Sequence, residues 1–500
     1  MSDSSMRSVA QAAAPATLDL DDFDALLMQE FKPRTDKAKD LIQAGVRALA
    51  EQALADSKTR VVPENAIRTI ENYIAAIDEV LGKQLNQILH HPEFQRVESA
   101  WRGLHYMVSR TETDEMLKIR VLNVSKDEVA RTLKRYDGIT WDQSPLFKKI
   151  YEAEYGQSGG EPYGCIVADY FFDHTAPDVE LLRGMAKIAG AAHAPLITGA
   201  SPTAMQMETW QDLGNPADLA KIFGTQEYAA WRDLRQSEDA RYIGLCMPRF
   251  MGRLPYGEKT NRVQDLVFEE DTGRGDQEKY VWLNAAYAMA TNITRAFKES
   301  GWCVQIRGQE SGGLVENLPA HTYKTDDGGI DMTCPTEVAI SDRREKELSN
   351  LGFMGLVHKK NTNMAAFIGG QSLQEPAEFT DDKATANARL SARLPYIFAV
   401  CRFAHYLKCM VRDKIGKNME AADAQRWLSE WITGYVCGDP ATASPSILAQ
   451  RPLSAAEVIV EADEADPGHY KATFRLRPHF QLESMDVSLR LVSQLPTKGT

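Results

Sequence analysis

The chain has 500 residues, 43% hydrophobic and 25% charged, the balance of a soluble globular protein long enough for two to four domains. Its formal net charge of −13 argues against bulk nucleic-acid binding, which favours a basic field. No window reaches the apolar length of a membrane span, which argues against membrane insertion.

Residues 1–17 are rich in Ser, Ala and Gln and read as a disordered tail. Next comes LDLDDFDALLMQEF. Leu20, Phe23, Leu27 and Phe31 recur at helical spacing with Leu26 beside them, and Asp19, Asp21, Asp22 and Asp24 crowd the first turns, where carboxylates suit the positive helix end. Pro33 ends the run. So short an amphipathic helix cannot bury its apolar stripe alone, so it asks for a groove on a partner or on its own body.

Residues 36–57 and 63–90 are helical in pattern; Ile67, Ile70, Ile74, Ile77, Leu81 and Leu85 form the stripe of the second. Phe94 to Met107 continues as helix. Leu117 to Ser125 (LKIRVLNVS) alternates as a strand, followed by a helix from Lys126 to Arg135.

The centre alternates short apolar strands with helices. Expected strands are Cys165 to Ala168, Leu196 to Thr198, Tyr242 to Cys246, Val304 to Ile306, Glu337 to Ile340 and Ala365 to Ile368. Expected helices are Asp178 to Ala192, Asp218 to Phe223, Asn284 to Ser300 and Asp342 to Leu351. The alternation predicts an α/β domain with a largely parallel or mixed sheet. The Gly-containing polar stretch Arg253 to Lys279 reads as a loop or insertion.

Asn387 to Gly416 is a long apolar helix in which Pro395 should start, kink or split the helix. A helix from Asp423 to Tyr435 carries Trp427 and Trp431. AAEVIVEAD is a strand, PGHY a turn, and two terminal strands follow. In the first, Tyr470, Ala472, Phe474 and Leu476 share a face opposite Lys471, Thr473, Arg475 and Arg477; in the second, Val487, Leu489 and Leu491 oppose Ser488 and Arg490. Strands at the free end of a chain suggest pairing outside their own domain.

No spacing selects an active site. Glycine loops for phosphate, HExxH and paired CxxC are missing from the sequence, and RGD at Arg274 to Asp276 is a frequent chance match. The seven cysteines, irregularly spaced, read as buried reduced thiols of a cytoplasmic protein. The N-terminal stretch has no apolar core of signal-peptide type. Cys401 and His405 stand at i and i+4, a spacing that can pair thiol with imidazole but that more simply places both in a core. The expectation is a non-enzyme with no cofactor and no metal; an α/β enzyme without a recognisable motif is the competing class.

Four long phrases carry a resemblance: YGQSGGEPYGCIVADYFF (155–172), EVAISDRREKELSNLGFMGLVHKKNTNMAAFIGGQSLQ (337–374), ATANARLSARLPYIFAVCRFAHYLKCMVRDKIG (384–416) and the terminal RPHFQLESMDVSLRLVSQLP. Together they resemble the large sheath subunit of the bacterial type VI secretion system, the TssC/VipB family, from about residue 20 to the end. A phage or pyocin-type tail sheath would share this architecture without a small partner.

The resemblance implies a phage-tail-sheath-like fold of α/β (α+β) class. It divides the chain into a flexible tail with an amphipathic helix (1–35), a helical arm for the small subunit or a linker (36–110), α/β sheath domains (111–380) and a C-terminal sheath domain (381–500). It implies pairing with a small subunit (TssB/VipA-like) in stacked hexameric rings, growth from a baseplate around an Hcp-like inner tube, contraction, and dismantling by a ClpV-like AAA+ ATPase. It makes the 19–31 helix the ATPase-recognition element, with Leu20, Phe23, Leu26, Leu27 and Phe31 as its contacts. Tyr470, Phe474, Leu476, Val487, Leu489 and Leu491 become inter-subunit strands. Arg389, Arg393, Lys408, Arg412, Lys414 and Lys417, which make 387–417 locally basic, become a candidate face toward the tube, or else an ordinary solvated helix face.

Overall fold

The computed structural model describes residues 44–45, 66–215, 218–264, 266–273, 276–324, 328–414, 420–440, 442–462 and 470–479. Its helices are α1 (Ala66–Leu89), α2 (Pro92–Ser109), α3 (Lys126–Arg135), α4 (Ala176–Ala192), α5 (Leu219–Phe223), α6 (Ala229–Gln236), α7 (Ala285–Ser300), α8 (Asp342–Asn350), α9 (Asp382–Ser391), α10 (Leu394–Lys414), α11 (Ala421–Thr433) and α12 (Pro445–Gln450). Its strands are β1 (Ile166–Phe172), β2 (Leu196–Ala200), β3 (Ile243–Met247), β4 (Phe250–Met251), β5 (Trp282–Leu283), β6 (Leu314–Val315), β7 (Thr322–Lys324), β8 (Ile330–Met332), β9 (Phe353–His358), β10 (Ala365–Phe367), β11 (Leu453–Ala462) and β12 (Tyr470–Pro478).

The chain divides into two compact units. The first holds residues 1–85 and 262–269. Its described part is the body of α1 with a short loop laid on it, where the Asp78 carboxylate accepts a hydrogen bond from the Val267 amide at 3.4 Å. The second holds residues 86–261 and 270–500.

The second unit is built on a mixed six-stranded sheet in the order β1-β2-β3-β9-β10-β6. The first four strands run parallel; β10 is antiparallel to both β9 and β6. The central strands are buried on both faces, which is why they read as continuous apolar runs. Successive residues feed opposite cores: Leu196, Leu245 and Phe353 join α4 and α6 on one face, while Ile197, Cys246 and Met354 join α7 on the other. The first core is aromatic at its centre, with Trp231 stacked on Phe353 at a ring-centroid distance of 6.0 Å.

Local chemistry sets the helix boundaries. Asn284 caps α7, its side chain accepting from the Ala286 amide, and Gly301, at φ +78°, closes it in a left-handed conformation that favours glycine. Ser125 and Glu128 form a reciprocal capping box at the start of α3. Pro395 splits the long C-terminal helix as expected: α9 ends at Ser391, and Pro395 occupies the first turn of α10, where its missing amide is harmless.

A third core closes the C-terminal part. Phe403 and Leu407 of α10, Leu428 and Ile432 of α11, and Leu453, Val458 and Val460 of β11 pack together with Trp302. The β11–β12 hairpin forms its own two-stranded antiparallel sheet among the described residues, in register from Ala455 opposite Arg477 to Ala462 opposite Tyr470, with an irregularity before Ala455.

Three expected strands are not strands. Val304–Ile306 and Glu337–Ile340 form no strand among the described residues; Glu337 N–H donates to Arg249 C=O at 2.9 Å without a ladder around it. Leu117–Ser125 forms no ladder at all. Conversely β9, in the middle of the sheet, is a strand that the sequence reading does not name; Gly355 interrupts its apolar run.

Candidate assembly surfaces

The β12 face predicted from alternation holds for Phe474 and Leu476 but not for Ala472, which is exposed. Phe474 and Leu476 are half-buried against the third core, while Lys471, Thr473, Arg475 and Arg477 are exposed on the opposite face. Arg475 pairs with Glu457 across the hairpin at 3.1 Å. One edge of β12 is taken by β11 of the same chain. Among the described residues this sheet has two strands, and the edge of a sheet is a template for another strand. Tyr470 lies in β12 by register; Val487, Leu489 and Leu491 lie outside the described residues, as do Leu20, Phe23, Leu26, Leu27 and Phe31.

The six basic residues are spread over different surroundings. Arg389 is exposed on α9, with Glu378 3.6 Å away. Arg393, between α9 and α10, is half-buried. Lys408 Nζ lies 3.1 Å from the Tyr151 hydroxyl and 3.7 Å from the centre of the Tyr155 ring. Arg412 donates to the carbonyls of Gln157 at 2.6 Å and Tyr155 at 2.9 Å. Both therefore hold the end of the π-helical turn Lys148–Tyr155, whose last carbonyls attract cations. Lys414 Nζ sits 4.9 Å from the Trp427 ring centre, and Lys417 is outside the described residues. The physical reason is that α10 is core for most of its length, so its cations reach neighbouring backbone and rings rather than one open face.

Sequence reasoning placed α2 but did not single out its apolar stripe. Phe94, Val97, Trp101 and Val108 are all exposed, Trp101 at 69%. The opposite side of α2 packs on α7, where Gly103 meets the Tyr287 ring and Ser99 donates to the Trp282 carbonyl at 2.7 Å. The stripe's spacing was legible; that its face would be left open was not. Ile74, Ile77, Val80 and Leu81 are likewise exposed on α1. Apolar rows of this kind mark places where chains meet.

Reactive groups fare differently. Burial pushes the Cys401 thiol well up and drives His405 down to about 4, while His405 Nε2 contacts the Ala192 carbonyl at 3.0 Å. That is the chemistry of a core thiol beside a neutral imidazole. Cys246 and Cys437 are also buried. Cys334 is the exception: burial raises its pKa, but hydrogen bonds with His358 and Thr336 outweigh it and hold the thiol below its ordinary value. Among the described residues no group of three metal-ligating side chains converges, and no helix is long and apolar enough to cross a membrane.

Two family models match the chain. One, described as "EvpB/VC_A0108, tail sheath N-terminal domain", covers residues 71–374; the other, "EvpB/VC_A0108, tail sheath gpW/gp25-like domain", covers 383–495. The type VI secretion system sheath protein TssC1 of Pseudomonas aeruginosa is 63% identical over 476 residues, 95% of each chain. Among solved structures, the anti-feeding prophage baseplate overlaps at a TM-score of 0.35 and 11% identity, covering 63% of this chain and 67% of that one. The contracted helical sheath of the same prophage overlaps at 0.27 and 11%, covering 62% and 66%.

Proposed function

The chain belongs to the VipB family of tail sheath proteins, and from that premise we propose that it is the large structural subunit of a type VI secretion contractile sheath. The observation that carries this reading is the identity of 63% spread over 95% of both this chain and a sheath protein. In the cytoplasm it pairs with a small TssB/VipA-like subunit. The pairs stack as hexameric rings on a baseplate, around an Hcp-like tube. Contraction is a switch between two rigid-body packings of the same subunits, and the work comes from the difference between them rather than from chemistry in this chain.

The named residues take roles within that reading. β12, with Tyr470, Phe474 and Leu476, and the segment with Val487, Leu489 and Leu491 tether neighbouring protomers, because backbone ladders survive a hinge elsewhere in the chain. The exposed rows of α1 and α2 support the arm (36–110) as a surface for the small subunit. Arg389, exposed on α9, is the strongest of the six basic residues as a contact to an acidic tube. The helix carrying Leu20, Phe23, Leu26, Leu27 and Phe31 is the handle for a ClpV-like ATPase.

Co-expression with the small subunit is the test. Tubules in electron micrographs are the expected product; soluble, monodisperse protein indifferent to the small subunit overturns the proposal.

A further inference from the structure

Residues 117–123 have the sequence of a strand and the surroundings of one that lacks its neighbour. They run without turn or bend. Among the described residues no backbone hydrogen bond engages any amide or carbonyl from Lys118 to Asn123. The segment is nevertheless held in place. Lys118 pairs with Glu161; Arg120 pairs with Glu154 and, at 3.0 Å, with Glu161. Ile119 packs inward on Met107, Tyr287 and Ala290. Beyond the segment the Val124 carbonyl accepts from the Tyr170 hydroxyl at 2.7 Å. What these anchors leave open is the backbone itself together with Val121, 65% exposed, and Leu122, 52% exposed.

A fixed run of unpaired donors and acceptors bordered by apolar side chains is what an added strand completes. Loops satisfy such groups with water, but a loop has no reason to alternate Leu, Lys, Ile and Arg or to expose adjacent Val and Leu. We propose that residues 117–123 become a strand by pairing with an extended segment of a partner polypeptide that presents apolar side chains to Val121 or Leu122. A second copy of the same segment is the poorer occupant. Antiparallel self-pairing centred on Ile119 sets Lys118 opposite Arg120, and centring on Arg120 sets two arginines face to face, so either register confronts like charges. The inference rests on the sheath reading for the identity of the partner tested, the small sheath subunit.

Hydrogen exchange read by mass spectrometry, on the full chain alone and in its complex with the small subunit, decides it. The amides of 118–123 should exchange at near-unprotected rates in the free chain and at least tenfold more slowly in the complex. Leu122→Pro, which deletes one donor on an exposed residue, and Val121→Asp should each lower the yield of complex at least tenfold while leaving the free chain's melting temperature unchanged. Tubules that form with 118–123 still exchanging rapidly overturn the pairing and leave the sheath reading standing. Protection that appears in the chain alone and grows with its concentration makes a second copy the occupant and overturns the proposed partner. No complex at all between the two wild-type proteins overturns both.

Discussion

Arg253 clasps Glu270 through both nitrogens of its guanidinium head, Nη1 2.6 Å from Oε2 and Nη2 3.1 Å from Oε1, with both side chains withdrawn from solvent. Its Nε turns to Glu98 of α2 at 2.7 Å, and Glu270 also accepts from the Tyr256 amide at 2.8 Å. One arginine thus bridges the helix that carries the open apolar stripe to the loop 253–271.

Removing one member of such a group strands the others. Glu270→Ala should lower stability by about 3–5 kcal/mol, the cost typical of breaking a buried pair. Urea denaturation at pH 7 checks it. Glu98 adds an acid dependence. Burial raises its pKa, but Arg253 and Arg102 outweigh that and hold it below its ordinary 4.5. The folded state therefore binds this proton less readily than the unfolded one. The contribution is complete above about pH 4.5 and is lost as pH falls through the lower folded value; Glu98→Gln should blunt that loss.

His405 gives a dependence in a higher window. Burial first, opposed by the Ala192 carbonyl, sets its pKa near 4 against an ordinary 6.5. Between those values the unfolded chain binds the proton that the folded chain refuses, so stability rises with pH. Nothing is lost above about pH 6.5, and about 3 kcal/mol is lost on descending to pH 4. His405→Leu should flatten the stability profile across that range, as measured by denaturation midpoints.

Gly103 marks where α2 crosses α7. A Cβ there would overlap the Tyr287 ring. Alanine is worth about 1 kcal/mol over glycine in a helix interior, but pushing two packed helices apart costs more. Gly103→Ala should therefore lower the melting temperature, and Gly103→Ala combined with Tyr287→Leu should recover part of the loss.

Phe23→Asp with Leu27→Asp interrupts the apolar spacing on which the proposed ATPase-recognition role rests. Assembly with the small subunit should be unchanged, and capture of contracted sheath by a ClpV-like ATPase should fall at least tenfold. A pull-down with undiminished ATPase rejects the assigned role.

Deleting the residues after Pro478 leaves the β11–β12 register intact and removes Val487, Leu489 and Leu491. Pairing with the small subunit should persist while tubules fail to form, a split visible by co-purification alongside electron microscopy.

Local patterns were enough for much of this protein. Periodicity placed α2 and α7, and Pro395 marked the break before α10, because propensity and helix-breaking act over a few neighbouring residues. Long unbroken phrases sufficed for the family. Tertiary structure alone decided what lay opposite each element. Leu117–Ser125 alternates like a strand, yet alternation specifies only a side chain's face and not whether a neighbour supplies the hydrogen bonds. Gly355 lies inside β9, a residue type depleted in strands, yet the strand stands between β3 and β10, where the sheet overrides local preference. Lys408 and Arg412 look like a solvated helix face in one dimension; folding brings the carbonyl end of a distant π-helical turn against them. Sequence determines which groups want partners within a turn or two. Partners from far along the chain are assigned only when the whole core closes.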